Sequence, residues 1–128
     1  MGRGKSRYTL PKPLYKEIYW AMRDYPRKKQ EYYAAINQSP SADGQPHGTG
    51  KSDPTEAAVE RIWDIGSEIR AIEKALEHID EGSRTNIFDH NVYGKPLPNV
   101  EGQSAKYWKL QNRKYVWYVA YYMGKVNK

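Results

Sequence analysis

The chain has 128 residues, a formal net charge of +6 and no cysteine. The absence of cysteine excludes disulfides and thiolate metal sites, and no apolar run approaches the ~18 residues that a membrane-spanning helix needs. The basic N-terminus is not followed by a hydrophobic stretch, so we expect no secretory signal. We therefore expect a single domain of a soluble cytoplasmic protein.

Charge is distributed unevenly along the chain. Residues 1–29 contain nine cations and two acids, residues 53–81 contain three cations and nine acids, and residues 102–128 contain six cations and no acid. Two interpretations are open. The acidic middle neutralises the basic ends within the fold, or the ends form a surface that binds a polyanion.

Residues 1–37 are predicted to form a basic arm and two helices. The first helix covers residues 10–25, and Pro13 suits its first turn because the missing N–H has no helical partner there. Pro26 ends this helix and can open the second, over residues 27–37. An apolar stripe along the first helix is expected to face the core: Leu14, Ile18, Ala21, Met22 and Tyr25.

Residues 38–52 are rich in Gly, Pro and Ser and are predicted to be a flexible loop. The loop contains Gly48-Thr-Gly-Lys-Ser52, which matches only the last residues of a phosphate-binding loop motif. Gln45 stands where that motif needs a glycine, and a polar loop precedes it in place of a strand. We interpret this segment as a linker.

Residues 53–82 are predicted to form a long central helix, with Asp53 as its cap and Gly82 as its stop. Branched apolar residues recur along it at alternating spacings of three and four. This seam is either the core face of a helix bundle or the dimerisation surface of a homodimer. The seam residues are Ile62, Ile65, Ile69, Ile72, Leu76 and Ile79.

Residues 83–128 are predicted to form a compact C-terminal unit. A short helix over 83–93 ends at Gly94, and a proline-containing connector leads to a final helix that starts at Ser104 and stops at Gly124. Together these elements predict an all-α protein, a small helical bundle built around the long central helix.

The final helix carries the residues that we expect to bind nucleic acid. Lys106, Lys109 and Arg113 share one face, while Trp108, Tyr115, Val119 and Tyr122 share another that can pack inward. Lysine and arginine reach phosphates or guanine edges, glutamine suits adenine edges, and a helix N-terminus favours phosphate. The predicted DNA-binding residues are Gln103, Ser104, Lys106, Tyr107, Lys109, Arg113 and Lys114, with a backbone-contacting arm of Arg3, Lys5 and Arg7.

No arrangement of residues in the sequence predicts catalysis. His47, His78 and His90 are not spaced as metal ligands, and His78 is expected on the surface of the central helix. No serine lies in a nucleophile motif. We therefore expect no enzyme activity, no metal and no cofactor.

Three segments resemble the small phage late-gene transcriptional activators of the RinA type. They are Leu10-Pro…Tyr15-Lys-Glu-Ile18…Asp24-Tyr25-Pro26…Lys29, then Ser52-Asp-Pro-Thr55 with the acidic isoleucine-rich helix, and Trp108…Arg113-Lys-Tyr-Val…Val119-Ala120…Gly124. The resemblance spans most of the chain. It implies a DNA-binding activator in the bacterial host cytoplasm, with RNA polymerase as a further partner.

The same resemblance implies a C-terminal helix-turn-helix similar to the promoter-reading part of sigma factors. The family has a full short helix in the region that Pro96 and Pro98 occupy here, where only a turn fits. The helix over 83–93 takes that role, or the motif is degenerate.

Two other functions remain open at this point. One is a DNA-packaging recognition subunit similar to a small terminase, which would assemble into a ring. The other is a helical adaptor that binds protein through its Tyr and Trp side chains and does not bind DNA.

Overall fold

The structure, a computed structural model, describes residues 8–37, 56–98 and 104–127. The arm residues Arg3, Lys5 and Arg7, the loop over 38–52 with its glycine-rich motif, the cap Asp53 and the site residue Gln103 lie outside these ranges. The described residues contain helices and no strand, which confirms the all-α fold class. The helices are α1 (Lys12–Arg23), α2 (Tyr25–Asn37), α3 (Glu56–Lys74), α4 (Arg84–Tyr93) and α5 (Ser104–Tyr122).

Proline and glycine set most helix boundaries where the sequence placed them. Pro13 lies in the first turn of α1, and α2 follows almost directly because Pro26 fits its first turn. Gly94 and Gly124 end α4 and α5 with φ values of 76° and 78°. Glycine adopts this left-handed conformation without steric cost, so both predicted stops are confirmed.

The isoleucine seam of α3 is buried inside the chain's own core. Ile65, Ile69, Ile72 and Ile79 are each less than a tenth exposed, and they pack with residues of α1, α4 and α5. Ile62 and Leu76 are partly buried. A dimerisation seam must be exposed in the monomer, so this placement supports the bundle-core interpretation and removes the seam as a homodimer surface.

The central helix is shorter than the sequence predicted. Its α-helical part ends at Lys74, a 3₁₀ turn covers Ala75–His78, and Ile79 is extended. Near this point the Tyr115 hydroxyl of α5 donates a hydrogen bond of 2.8 Å to the carbonyl of Ile72. A contact from α5 therefore meets α3 close to where the α-helix gives way to the 3₁₀ turn.

The C-terminal half of α5 forms the centre of the fold. Six consecutive residues are buried, so the helix is covered on every side there, and burial extends beyond the predicted inward-facing Tyr115 and Val119. The helix packs mainly on α3 and the following 3₁₀ turn, and less on α1 and α4. The buried residues are Tyr115, Val116, Trp117, Tyr118, Val119 and Ala120.

The core that α1 and α3 share also includes α5, so residues 83–128 pack against the other described helices. Ten residues, 94–103, join α4 to α5. The turn of a helix-turn-helix has about three or four residues. The α4–α5 pair therefore differs from that motif in its connection as well as in its packing.

Candidate nucleic-acid interface

Three cations project from the N-terminal half of α5. Lys106, Lys109 and Arg113 are exposed, and none of them makes an ion pair with any other residue that the structure describes. Leu110 lies between them and is 43% exposed. We call these four residues the α5 stripe.

Polar contacts on the opposite face hold the α5 stripe outward. The Tyr107 hydroxyl donates to Asp80 Oδ2 at 2.7 Å, and Gln111 Oε1 accepts from the Asp80 backbone N–H at 3.0 Å. Asn91 Nδ2 on α4 donates to Asn112 Oδ1 at 2.6 Å. These bonds fix the rotation of the helix, so its cations face away from the rest of the fold.

Two of the predicted DNA-binding residues have partners within the fold. The hydrogen bond to Asp80 raises the pKa of Tyr107, so the phenol stays neutral and keeps its hydroxyl directed at that carboxylate. Lys114 is half-buried, and its Nζ lies 5.9 Å from the ring centroid of Tyr8. Ser104 is the first residue of α5. The structure thus brings together Lys106, Lys109 and Arg113 of the predicted set.

Unlike the cations of the α5 stripe, two lysines of α2 form ion pairs with acids of α3. Lys28 Nζ contacts Glu68 Oε1, and Lys29 Nζ contacts Glu73 Oε2 at 3.0 Å. A cation of α3 also pairs with an acid of α2, since Arg61 lies 2.5 Å from Glu31. Of the two interpretations of the charge pattern, neutralisation within the fold therefore describes α2 and α3, whereas the α5 cations remain unpaired among the described residues.

Tyr8 joins the N-terminal segment to α5, a contact that the sequence analysis missed. Its ring packs edge-on against Trp117 at 5.8 Å and lies 6.0 Å from Tyr118. Trp117 follows Lys106 by eleven residues and Arg113 by four, so it lies on the same side of the helix as the α5 stripe. Tyr8 therefore lies beside α5 at the C-terminal end of the stripe.

His78 is not the surface residue that the sequence predicted. Its ring stacks on Tyr118 at a centroid separation of 3.7 Å, and its Nε2 lies 2.7 Å from the Tyr122 hydroxyl. The periodicity of α3 could not reveal this, because the helix has already tightened to a 3₁₀ turn at His78. Among the described residues, no group of three His, Asp or Glu side chains could hold a metal ion.

Comparisons with known protein families, with curated proteins and with solved structures gave no match to this chain. None of the described helices combines the length and the apolar character that crossing a bilayer requires.

Proposed function

We propose that the chain is a DNA-binding transcriptional regulator that contacts duplex DNA through the α5 stripe. One observation carries the DNA contact: Lys106, Lys109 and Arg113 are exposed on one helix face with no acid paired to them in the described residues. The role at phage late genes, and RNA polymerase as a partner, are supported by the RinA-type resemblance alone.

The geometry of α5 suits the major groove. The groove is about 12 Å wide and admits one α-helix, and the N-terminal half of α5 turns the exposed α5 stripe away from the core. Its N-terminus adds partial positive charge where a phosphate would approach. Lys106, Lys109 and Arg113 then contact phosphates or guanine edges, and the arm residues add further phosphate contacts.

The test removes the charge of the α5 stripe and compares it with an equal change elsewhere. Lys106→Gln, Lys109→Gln and Arg113→Gln are combined in one variant. The control combines Arg61→Gln, Arg70→Gln and Lys74→Gln, three exposed cations of α3. Binding to a duplex of about 30 base pairs is measured by gel shift at low salt.

We expect the α5 variant to lose at least about tenfold in affinity, because three phosphate or base contacts disappear. The control should change affinity only slightly. Equal losses in the two variants would show that net charge alone drives binding and would contradict the assignment to α5. Sequencing the phage and host fragments that the purified chain retains would then identify the site.

One observation favours the adaptor function as a second candidate. At the end of the α2–α3 pair, Trp63, Tyr33 and Ile36 are 64%, 50% and 43% exposed, beside a groove of about 250 Å³. Exposed apolar patches of this kind often contact protein. Tight binding of a protein partner together with no duplex binding at low salt would favour the adaptor over the regulator. A solution mass of eight or more subunits would instead favour the packaging role.

A further inference from the structure

The outer face of α1 combines aromatic rings and cations and contains no acid. Helical periodicity places three aromatic and three basic residues on this side of α1, while its apolar residues Ile18 and Met22 face the core. We call this surface the α1 face. Its residues are Lys12, Tyr15, Lys16, Tyr19, Trp20 and Arg23.

Two aromatic rings of the α1 face are exposed to solvent, and contacts between neighbouring side chains hold the third in place. Trp20 is 63% exposed and Tyr15 is 39% exposed. Tyr19 packs edge-on against Trp20 at 4.9 Å and lies under the Arg23 guanidinium at 4.8 Å. Arg23 is itself fixed, because its Nε donates to the carbonyl of Asn91 at 3.2 Å. Tyr19 therefore contacts the rings of both Trp20 and Tyr15.

The cations of the α1 face are available to a ligand. Lys12 and Lys16 are exposed and make no ion pair with a described residue. The two acids of this helix region lie at its flank, and both are occupied. Glu17 pairs with Lys125 at 2.8 Å, and Asp24 pairs with Arg27 at 2.6 Å. A polyanion on the α1 face would thus meet two unpaired lysines and no unpaired carboxylate of α1.

Exposed rings beside cations match a single strand better than a duplex. In a duplex the base faces are covered by their neighbours, whereas unpaired bases can stack on Trp and Tyr while their phosphates meet lysine. We propose that the α1 face binds single-stranded DNA, with bases on Trp20 and Tyr15 and phosphates on Lys12 and Lys16. Tyr8 packs on Trp117 and Tyr118 of α5 and precedes Lys12 by four residues, so the chain passes from α5 to the start of the α1 face within a short segment.

The choice of DNA over RNA rests on the proposed function, but the stacking surface itself does not. The test uses Trp20→Ala with Trp63→Ala as its matched control, because the two tryptophans are 63% and 64% exposed. Binding of fluorescein-labelled oligo(dT), of the same length of oligo(U), and of duplex DNA is measured by anisotropy. Both variants should keep the wild-type far-UV circular dichroism, since both side chains are exposed.

We expect Trp20→Ala to weaken oligo(dT) binding about tenfold, the loss typical of one stacked base, and to leave duplex binding unchanged. Trp63→Ala should change neither. Unchanged oligo(dT) binding in Trp20→Ala, or an equal loss in Trp63→Ala, would overturn the proposal. Tighter binding of oligo(U) than of oligo(dT) would overturn the assignment to DNA.

The two proposals fail separately. The glutamine variant of the α5 stripe should lose duplex binding and retain most of its oligo(dT) binding, and Trp20→Ala should show the reverse. If the wild-type chain binds oligo(dT) but not duplex, the α5 proposal is wrong and the α1 face remains. If it binds duplex but not oligo(dT), the α1 proposal is wrong.

Discussion

Tyr115 joins α5 to the end of α3 through its hydroxyl. Its side chain is fully buried, and it donates to the Ile72 carbonyl at 2.8 Å. Burial raises the pKa of this phenol, so it is a neutral donor at neutral pH. One side chain thereby links the buried half of α5 to the last turn of α3.

Removing this hydroxyl should destabilise the fold. For Tyr115→Phe we expect a loss of about 1–3 kcal/mol in the free energy of unfolding, because the Ile72 carbonyl is left buried without its donor. Urea denaturation followed by circular dichroism measures it. Tyr93→Phe is the control, since Tyr93 is 55% exposed and should change stability by less than about 0.5 kcal/mol. Equal stability of the two variants would contradict the structural role.

Glu73 is the second residue on which a measurable property depends. Partial burial raises the pKa of its carboxyl, but hydrogen bonds from Tyr25 and Lys29 outweigh this and leave the pKa below its usual value of 4.5. The hydrogen bond with Tyr25 and that with Glu73 raise the pKa of Lys29. These three side chains join the start of α2 to the end of α3.

The sign of the pH effect follows from the lowered pKa. A carboxyl with a lowered folded-state pKa contributes stability above its unfolded value, and this contribution is lost as the pH falls through the folded value. Wild-type protein should therefore lose more stability between about pH 5 and pH 3 than Glu73→Gln does. Urea unfolding at the two pH values measures the difference. Glu77→Gln, at an exposed position, should behave as wild type, and a Glu73→Gln profile as steep as wild type would contradict the prediction.

At the scale of the element, some helix boundaries follow from the local sequence, and others involve contacts with distant parts of the chain. Pro13, Gly94 and Gly124 act on their own backbone, so the sequence predicted the boundaries near them correctly. The last turn of α3 contacts Tyr115, more than forty positions away along the chain. Periodicity within one helix contains no information about such a partner, which is why the length of α3 was overestimated.

Gly94 provides a test at this scale. It has a φ of 76°, and a Cβ there would lie 3.1 Å from an Arg23 guanidinium nitrogen. Gly94→Ala should cost about 1 kcal/mol or more of unfolding free energy. Gly82→Ala is the control, because a Cβ at Gly82 meets nothing within 4 Å. Thermal melts of both variants compare the sites. A Gly94→Ala melt at or above that of Gly82→Ala would contradict the requirement for glycine.

Across the whole molecule, ion pairing separates the basic segments into two groups. Lys28 and Lys29 are paired to acids of α3, whereas the cations of the α5 stripe and of the α1 face have no carboxylate beside them in the described residues. Helical periodicity predicted the outward direction of Lys106, Lys109 and Arg113. It could not predict that Asp80 would engage Tyr107, because that partner lies on a different element.

The salt dependence of duplex binding tests whether the unpaired cations contact phosphates. If the three exposed α5 cations and the three arm cations neutralise about six phosphates, log affinity for duplex should fall against log salt with a slope of roughly −5. Removing three of the six cations should halve this slope, so the α5 glutamine variant should approach roughly −2.5. Gel shifts from 50 to 200 mM salt measure both slopes. A wild-type slope near zero would contradict a phosphate-based interface.

The continuity of α5 determines whether its exposed half must become ordered when a ligand binds. Its buried half anchors the exposed half as one unbroken helix, so the surface that we propose for DNA binding is formed before any encounter. Association of this part then involves rigid bodies and carries no cost for ordering its backbone. Circular dichroism of the complex should accordingly show no gain in helix from α5.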